Sequence, residues 1–174
     1  MLETLQRMFR YKAWSNDQLL TALAELGEDS PVTNLAIKAL SHSYVVDRIF
    51  AAHLRGTKHP FTSANLSEMP ALDNLSADIR ASDREYIDYV PSLDREQLAE
   101  PIDFTFTDGA PGRMSREEML AHVATHGSYH RGAVGRIMAQ VAVPPPRDIF
   151  TVYLHQSEPQ RRARSSREGA RPCC

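Results

Sequence analysis

Across residues 2–26 the apolar positions Leu2, Leu5, Phe9, Ala13, Leu19, Leu20 and Leu23 recur at intervals that suit one face of a helix. Polar residues fill the other face, which predicts a first helix from Leu2 to Leu26. Ser30-Pro31 then offers an N-cap followed by proline at the first helical position, and the pattern holds until Gly56, a C-terminal stop. A second helix is expected over Pro31–Arg55. Leu75, Ile79, Ser82, Tyr86 and Val90 form the stripe of a third, opening after Asp73 or Asn74 and ending near Pro91. The intervening GTKHPFTSANLSEMPAL has no periodicity and reads as a connection longer than most.

Between Glu100 and Met114 the period changes to two. Ile102, Phe104 and Phe106 share one side ahead of the turn signal TDGAPG, which predicts a short β-hairpin. Ser115 and Glu118 then have capping-box spacing before a stripe of Leu120, Val123, His130, Val134, Ile137 and Val141. A fourth long helix follows to about Gln140. Pro144–Pro146 bar its continuation, and Asp148–Leu154 is expected to add one or two turns that close the structure. Four amphipathic helices and one small hairpin place the chain in the all-α class.

Composition narrows the reading without changing it. A chain of 174 residues with 42% apolar and 24% charged residues suits one well-filled domain and excludes a disordered or fibrous protein. No apolar run approaches the roughly 20 residues that span a bilayer, and MLETLQRMFRYKAW lacks a signal peptide's apolar stretch, so a cytoplasmic protein without membrane contact is expected. The formal charge is −2; five Arg against two Glu after residue 155 make the tail +3 and leave −5 on residues 1–155. The expected division is therefore a bundle over 1–155 and a basic, disordered tail over 156–174. Nothing in the body suggests a nucleic-acid surface. Cys173 and Cys174 are adjacent at the C-terminal end, where they cannot staple a core and lack the spacing of a zinc motif.

The candidate chemistry lies in histidines. His122, His126 and His130 fall four residues apart, so their directions spread over only about 80° of the fourth helix. Such a pair can place two imidazole nitrogens on one metal ion at about 2.0–2.1 Å. A zincin-type protease is excluded, because its general-base glutamate is replaced by Val123 in HVATH and by Gly127 in HGSYH. A third ligand must come from another helix. His42 is placed for it, since Leu35, Ala39, Val46 and Ile49 lie on its side of the second helix and should face the interior. A lone histidine there is usually a core residue satisfied by one hydrogen bond. Three inward histidines on two helices favour a shared divalent ion, which satisfies them together and keeps them neutral.

The other polar candidates read as structural. His53 sits in the last turn of the second helix, where a histidine suits the dipole, and His59 and His155 carry no motif. Asp47 and Arg48 invite a reading as acid/base or anion-binding residues, but Asp47 lies five residues from His42, off its direction, which favours a salt-bridge or interhelix role. Tyr129 and Arg131 flank His130 and either could reach a bound substrate, though helix neighbours point about 100° from the ligand; Arg131 reads as a structural or interface contact and Trp14 as packing. His122 is open between a place beside the metal, solvent exposure and packing.

The segments YKAWSNDQLL, LSHSYVVDRIFAAHLRG, HVATHGSYHRG and DIFTVYL, in this order over about Leu2–Leu154, resemble the DinB/YfiT-like family of metalloenzymes. The resemblance implies a four-helix bundle of up-down-down-up type, usually a homodimer. It also implies a metal triad of His42, His126 and His130, with zinc or nickel as the ion. Three neutral histidines leave a coordination position open, as catalytic sites do. Relatives of this type include transferases and isomerases that use a low-molecular-weight thiol, so the first expectation is a small-thiol-dependent S-transferase acting on a small molecule. The alternatives are a metal-dependent hydrolase, for which no proton acceptor is identified, and a non-enzymatic, metal-stabilised dimeric module of a stress response.

Overall fold

The computed structural model describes residues 2–27 and 30–163. Its elements in chain order are α1 (Leu2–Leu26), α2 (Pro31–Arg55), α3 (Leu72–Tyr89), α4 (Arg95–Ala99), β1 (Pro101–Thr105), β2 (Pro111–Ser115), α5 (Arg116–Gln140), α6 (Phe150–Ser157) and α7 (Gln160–Ala163). The expected four long helices and hairpin are present. The short α4 is an addition, started by a capping box between Asp94 and Gln97.

Local chemistry sets the boundaries. Ser115 accepts from the Glu118 amide while Glu118 accepts from the Ser115 amide, so α5 opens with both halves of its capping box made. Gly56 ends α2 in the left-handed region at φ 64°, and its amide and that of Thr57 close onto the last-turn carbonyls. Helix α3 opens at Leu72, ahead of the expected Asp73 or Asn74. Leu72 is buried, which draws the helix start inward, and Asp73 falls in the first turn where its charge suits the dipole. The expected boundary at 155 falls inside α6, and α7 adds a further turn; Glu158 between them accepts from Arg7 of α1. Cys173, Cys174 and the rest of 164–174 lie outside the described residues.

The direction of each helix follows from two apolar clusters. One gathers Leu5 and Phe9 from the start of α1, Leu120 from the start of α5, and Phe50, Leu54 and Tyr86 from the ends of α2 and α3. The other gathers Leu20 and Leu23 from the end of α1, Met138 from the end of α5, and Ala36, Ile37 and Leu75 from the starts of α2 and α3. Helices α1 and α5 therefore run one way and α2 and α3 the other, the up-down-down-up arrangement. Parallel α2 and α3 need a connection that returns along the bundle, which accounts for the long segment 56–71.

Around the bundle α2 packs on α5 and α3, and α1 packs on α3 and α5. The β1–β2 hairpin pairs Ile102 with Met114 and Phe104 with Gly112, and its buried Phe104 joins the first cluster at one end of the bundle. Polar and titratable residues occupy the level between the two clusters.

Candidate metal centre

Three of those middle-level residues are His42, His126 and His130. One nitrogen from each lies within 4.8 Å of the others, and all three residues are half-buried. The Nε2 atoms of His126 and His130 stand 3.1 Å apart, and the ring centres of His42 lie 5.3 and 4.8 Å from theirs. Successive turns of α5 supply the pair, and α2, the principal neighbour of α5, supplies the third.

The residues fit a divalent cation. Two nitrogens held by one ion at about 2.0–2.1 Å are themselves on the order of 3 Å apart. A carbonyl can only accept, so the 2.9 Å contact between His42 Nδ1 and the Ala64 oxygen requires a proton on Nδ1, and of the two neutral tautomers it selects the one whose Nε2 lone pair is free to ligate. Burial, then neighbouring His130, His122 and His42, hold His126 down to about 4. Burial and His42 hold His130 below the usual histidine range as well. Both are therefore neutral near pH 7, the ligating form. His126 Nδ1, the ring nitrogen not engaged in the Nε2–Nε2 contact, is buried with no partner within the protein.

Two cavities meet the triad. One of about 250 Å³ lies beside His42, with Ser41, Lys38 and Glu68 in its wall. The other, about 270 Å³, lies between His126 and the hairpin. His122 belongs to this second cavity: its ring stacks on His126 at 5.2 Å and on Phe50 at 4.7 Å, and burial lowers its pKa. His53 lines the same cavity, and its ring is 5.2 Å from that of His59; each of the two has a buried nitrogen without a partner. His155 is exposed and bonds within its own helix, to the Thr151 carbonyl.

Sequence reasoning missed the charged network behind the triad. Lys12, 2% exposed, donates to Asp47 at 2.6 Å and to Asp83 at 2.7 Å, tying α1 to α2 and α3. Asp83 also accepts from Asn16, Asn16 from Arg131, and Arg131 donates to Asp148, which Tyr11 also reaches. Burial alone would lower the Lys12 pKa, but its two carboxylates outweigh burial and raise it. Asp47 and Arg48 each make an interhelix ion pair, as expected, Asp47 with Lys12 and Arg48 with Glu85. Arg131 is a structural residue, 3% exposed, while Tyr129 is 74% exposed and Trp14 packs on Tyr11 and Tyr153.

Two details correct the expected stripes. Leu35 is 55% exposed, and the inward face of α2 runs instead through buried Val32, Ala36 and Leu40, with Ala39 and His42 half-buried at its edge. Val141 is exposed, since α5 has ended. A signal for the network was present: in α1 the buried set Leu5, Phe9, Lys12, Asn16, Leu19 and Leu23 is a regular helical stripe with a charge at its centre.

An antiparallel-and-parallel helical bundle with three convergent histidines at mid-height defines a class of all-α proteins whose interior could hold a metal ion. The DinB family model matches residues 1–163, and the chain belongs to that family. It is 24% identical over 166 residues to Protein DinB of Bacillus subtilis (strain 168), a match covering 89% of this chain and 96% of that protein. No described helix is long and apolar enough to cross a membrane.

Proposed function

We propose that the chain is a divalent-metal enzyme that transfers a small thiol to a small electrophile at His42, His126 and His130. The observation that carries this reading is a cluster of three histidines, two of them held neutral, flanked by two cavities. A purely structural ion would be supported by a closed site with no adjoining space. Held there, zinc or nickel supplies Lewis acidity and favours the thiolate form of a bound thiol.

The chain's own residues hold and orient. Ala64 fixes the tautomer of His42, and helical spacing fixes His126 against His130. In the reaction the thiol would give its proton to solvent, its sulfur would form a bond to the electrophile's carbon, and the leaving group would depart with its bonding pair and take a proton from solvent. Transfer is supported over hydrolysis because no carboxylate joins the convergent histidine nitrogens among the described residues, Glu68 standing only in the wall of the cavity beside His42. The buried carboxylates Asp47 and Asp83 are bound to Lys12, so neither stands ready to take a proton from water. The family resemblance supports a homodimer.

The test is thiol consumption by zinc- or nickel-loaded protein offered cysteine or glutathione with a panel of electrophiles. Turnover by the wild type that is lost in His130→Ala supports the proposal. Hydrolysis of ester or amide substrates without thiol consumption would replace it.

A further inference from the structure

The cavity between His126 and the hairpin has a composition that restricts what can occupy it. Val46, Ile49 and Phe50 of α2 form one side, and Phe104, Phe106 and Met114 of the hairpin the other. Its remaining wall is Ala64, Thr107 and the imidazoles of His53, His122 and His126, with no Asp, Glu, Lys or Arg among its lining residues. The cavity beside His42 differs, since Lys38 and Glu68 border it.

We infer that the hairpin-side cavity takes an uncharged, apolar body about one aromatic ring in size, the carbon portion of a substrate acted on at the neighbouring triad. The size follows from volume: an apolar cavity of about 150 Å³ holds benzene, so 270 Å³ admits one ring with short substituents. The exclusion of charge follows from the walls, because an ion placed there would give up hydration without gaining a counter-charge. The imidazoles contribute ring faces to the wall, His122 stacking on Phe50 at 4.7 Å and His53 lying 5.0 Å from Phe104. They remain able to donate or accept a single hydrogen bond, and His53 Nε2 has no partner within the protein.

The hairpin is what defines the cavity. Gly112 lies against Phe104 and Phe106 so closely that a Cβ there would come within 2.6 and 2.8 Å of their rings. The absent side chain lets the phenyl rings fold over the strand and form the wall. The occupant's role as substrate rests on the proposed metal enzyme, but its binding does not, which separates the two in experiment.

Toluene and benzoate are the probes, titrated into protein carrying 13C-methyl methionine with the Met114 signal assigned through Met114→Leu. Metal content is measured on the same samples. Toluene is expected to shift the Met114 methyl saturably, with benzoate at least tenfold weaker. Thr107→Phe, on the exposed turn, and Ala64→Phe, on the 56–71 segment, should each weaken toluene at least tenfold, and Thr107→Phe should leave metal content unchanged. Absence of a toluene shift, equal binding of benzoate, or full toluene affinity in a folded Thr107→Phe protein would overturn the inference. Toluene binding by a protein that takes up no metal would sustain the cavity and sink the metal enzyme.

Discussion

His42 donates from Nδ1 to the Ala64 carbonyl at 2.9 Å, so a residue of the long segment between α2 and α3 dictates which nitrogen of His42 faces His126 and His130. That segment is the one the bundle's topology requires. The connection that makes the fold possible thus also prepares the ligand.

Loosening this contact should weaken metal binding without unfolding the bundle. Replacing residues 62–66 with a Gly/Ser segment is expected to lower zinc or nickel affinity by roughly 10–100-fold, the usual effect of losing a group that orients a ligating histidine. Calorimetric titration checks it, with circular dichroism to confirm unchanged helicity. Unaltered affinity would show that Ala64 is incidental.

Lys12 sits between two buried carboxylates, so removing it leaves them without their cation. Lys12→Met should destabilise the protein by roughly 3–5 kcal/mol, the range for breaking a buried pair by removing one partner. Urea unfolding measures this. Adding Asp47→Leu and Asp83→Leu to the same protein should recover much of the loss, since the unpaired charges are then gone.

Gly127 occupies a position where a zincin would carry its glutamate, and the structure supplies the reason for glycine. A Cβ there would meet Lys12 Cε at 3.1 Å and Arg131 Nη1 at 3.3 Å. Both side chains are pinned by ion pairs and cannot easily yield. Gly127→Ala is therefore expected to destabilise by about 1–3 kcal/mol through overpacking, although alanine in an exposed helix would gain about 1 kcal/mol over glycine. A higher melting temperature for the variant would contradict this.

The sign of the Asp47 titration gives a pH test. Burial pushes this carboxyl up to about 6 against the pull of Lys12, and its Oδ1 has no partner. An unfolded chain holds it near its ordinary value of about 3.9. Between these values the folded protein binds more protons than the unfolded one, so the group's contribution to stability falls as pH rises from about 4 to about 6. The unfolding free energy of wild type minus that of Asp47→Asn should fall across this window by an amount on the order of 2–3 kcal/mol. The histidines titrate in both proteins and cancel. A difference that rises with pH would show that Lys12 dominates the carboxyl.

Periodicity and caps made the helices legible because each depends on neighbours in sequence. Pro31, Gly56 and the Ser115–Glu118 box mark ends that the structure keeps. His126 and His130 were legible for the same reason, being one turn apart. His42 was reached only with the help of family resemblance, and the face assigned to it included an exposed Leu35. Lys12, Asp47 and Asp83 come from three helices, and no spacing rule connects them; the trace they leave is a charge on an apolar stripe. The hairpin was readable as an element, but its service as a cavity wall depends on where α2 and α5 place it.

Metal content after equilibration with zinc or nickel and removal of excess tests the central claim most directly. Wild-type protein should retain a single ion per chain at its one described histidine cluster, and His42→Ala, His126→Ala and His130→Ala, each shown to be folded, should each lose it. Full occupancy in any of the three folded variants would contradict the triad.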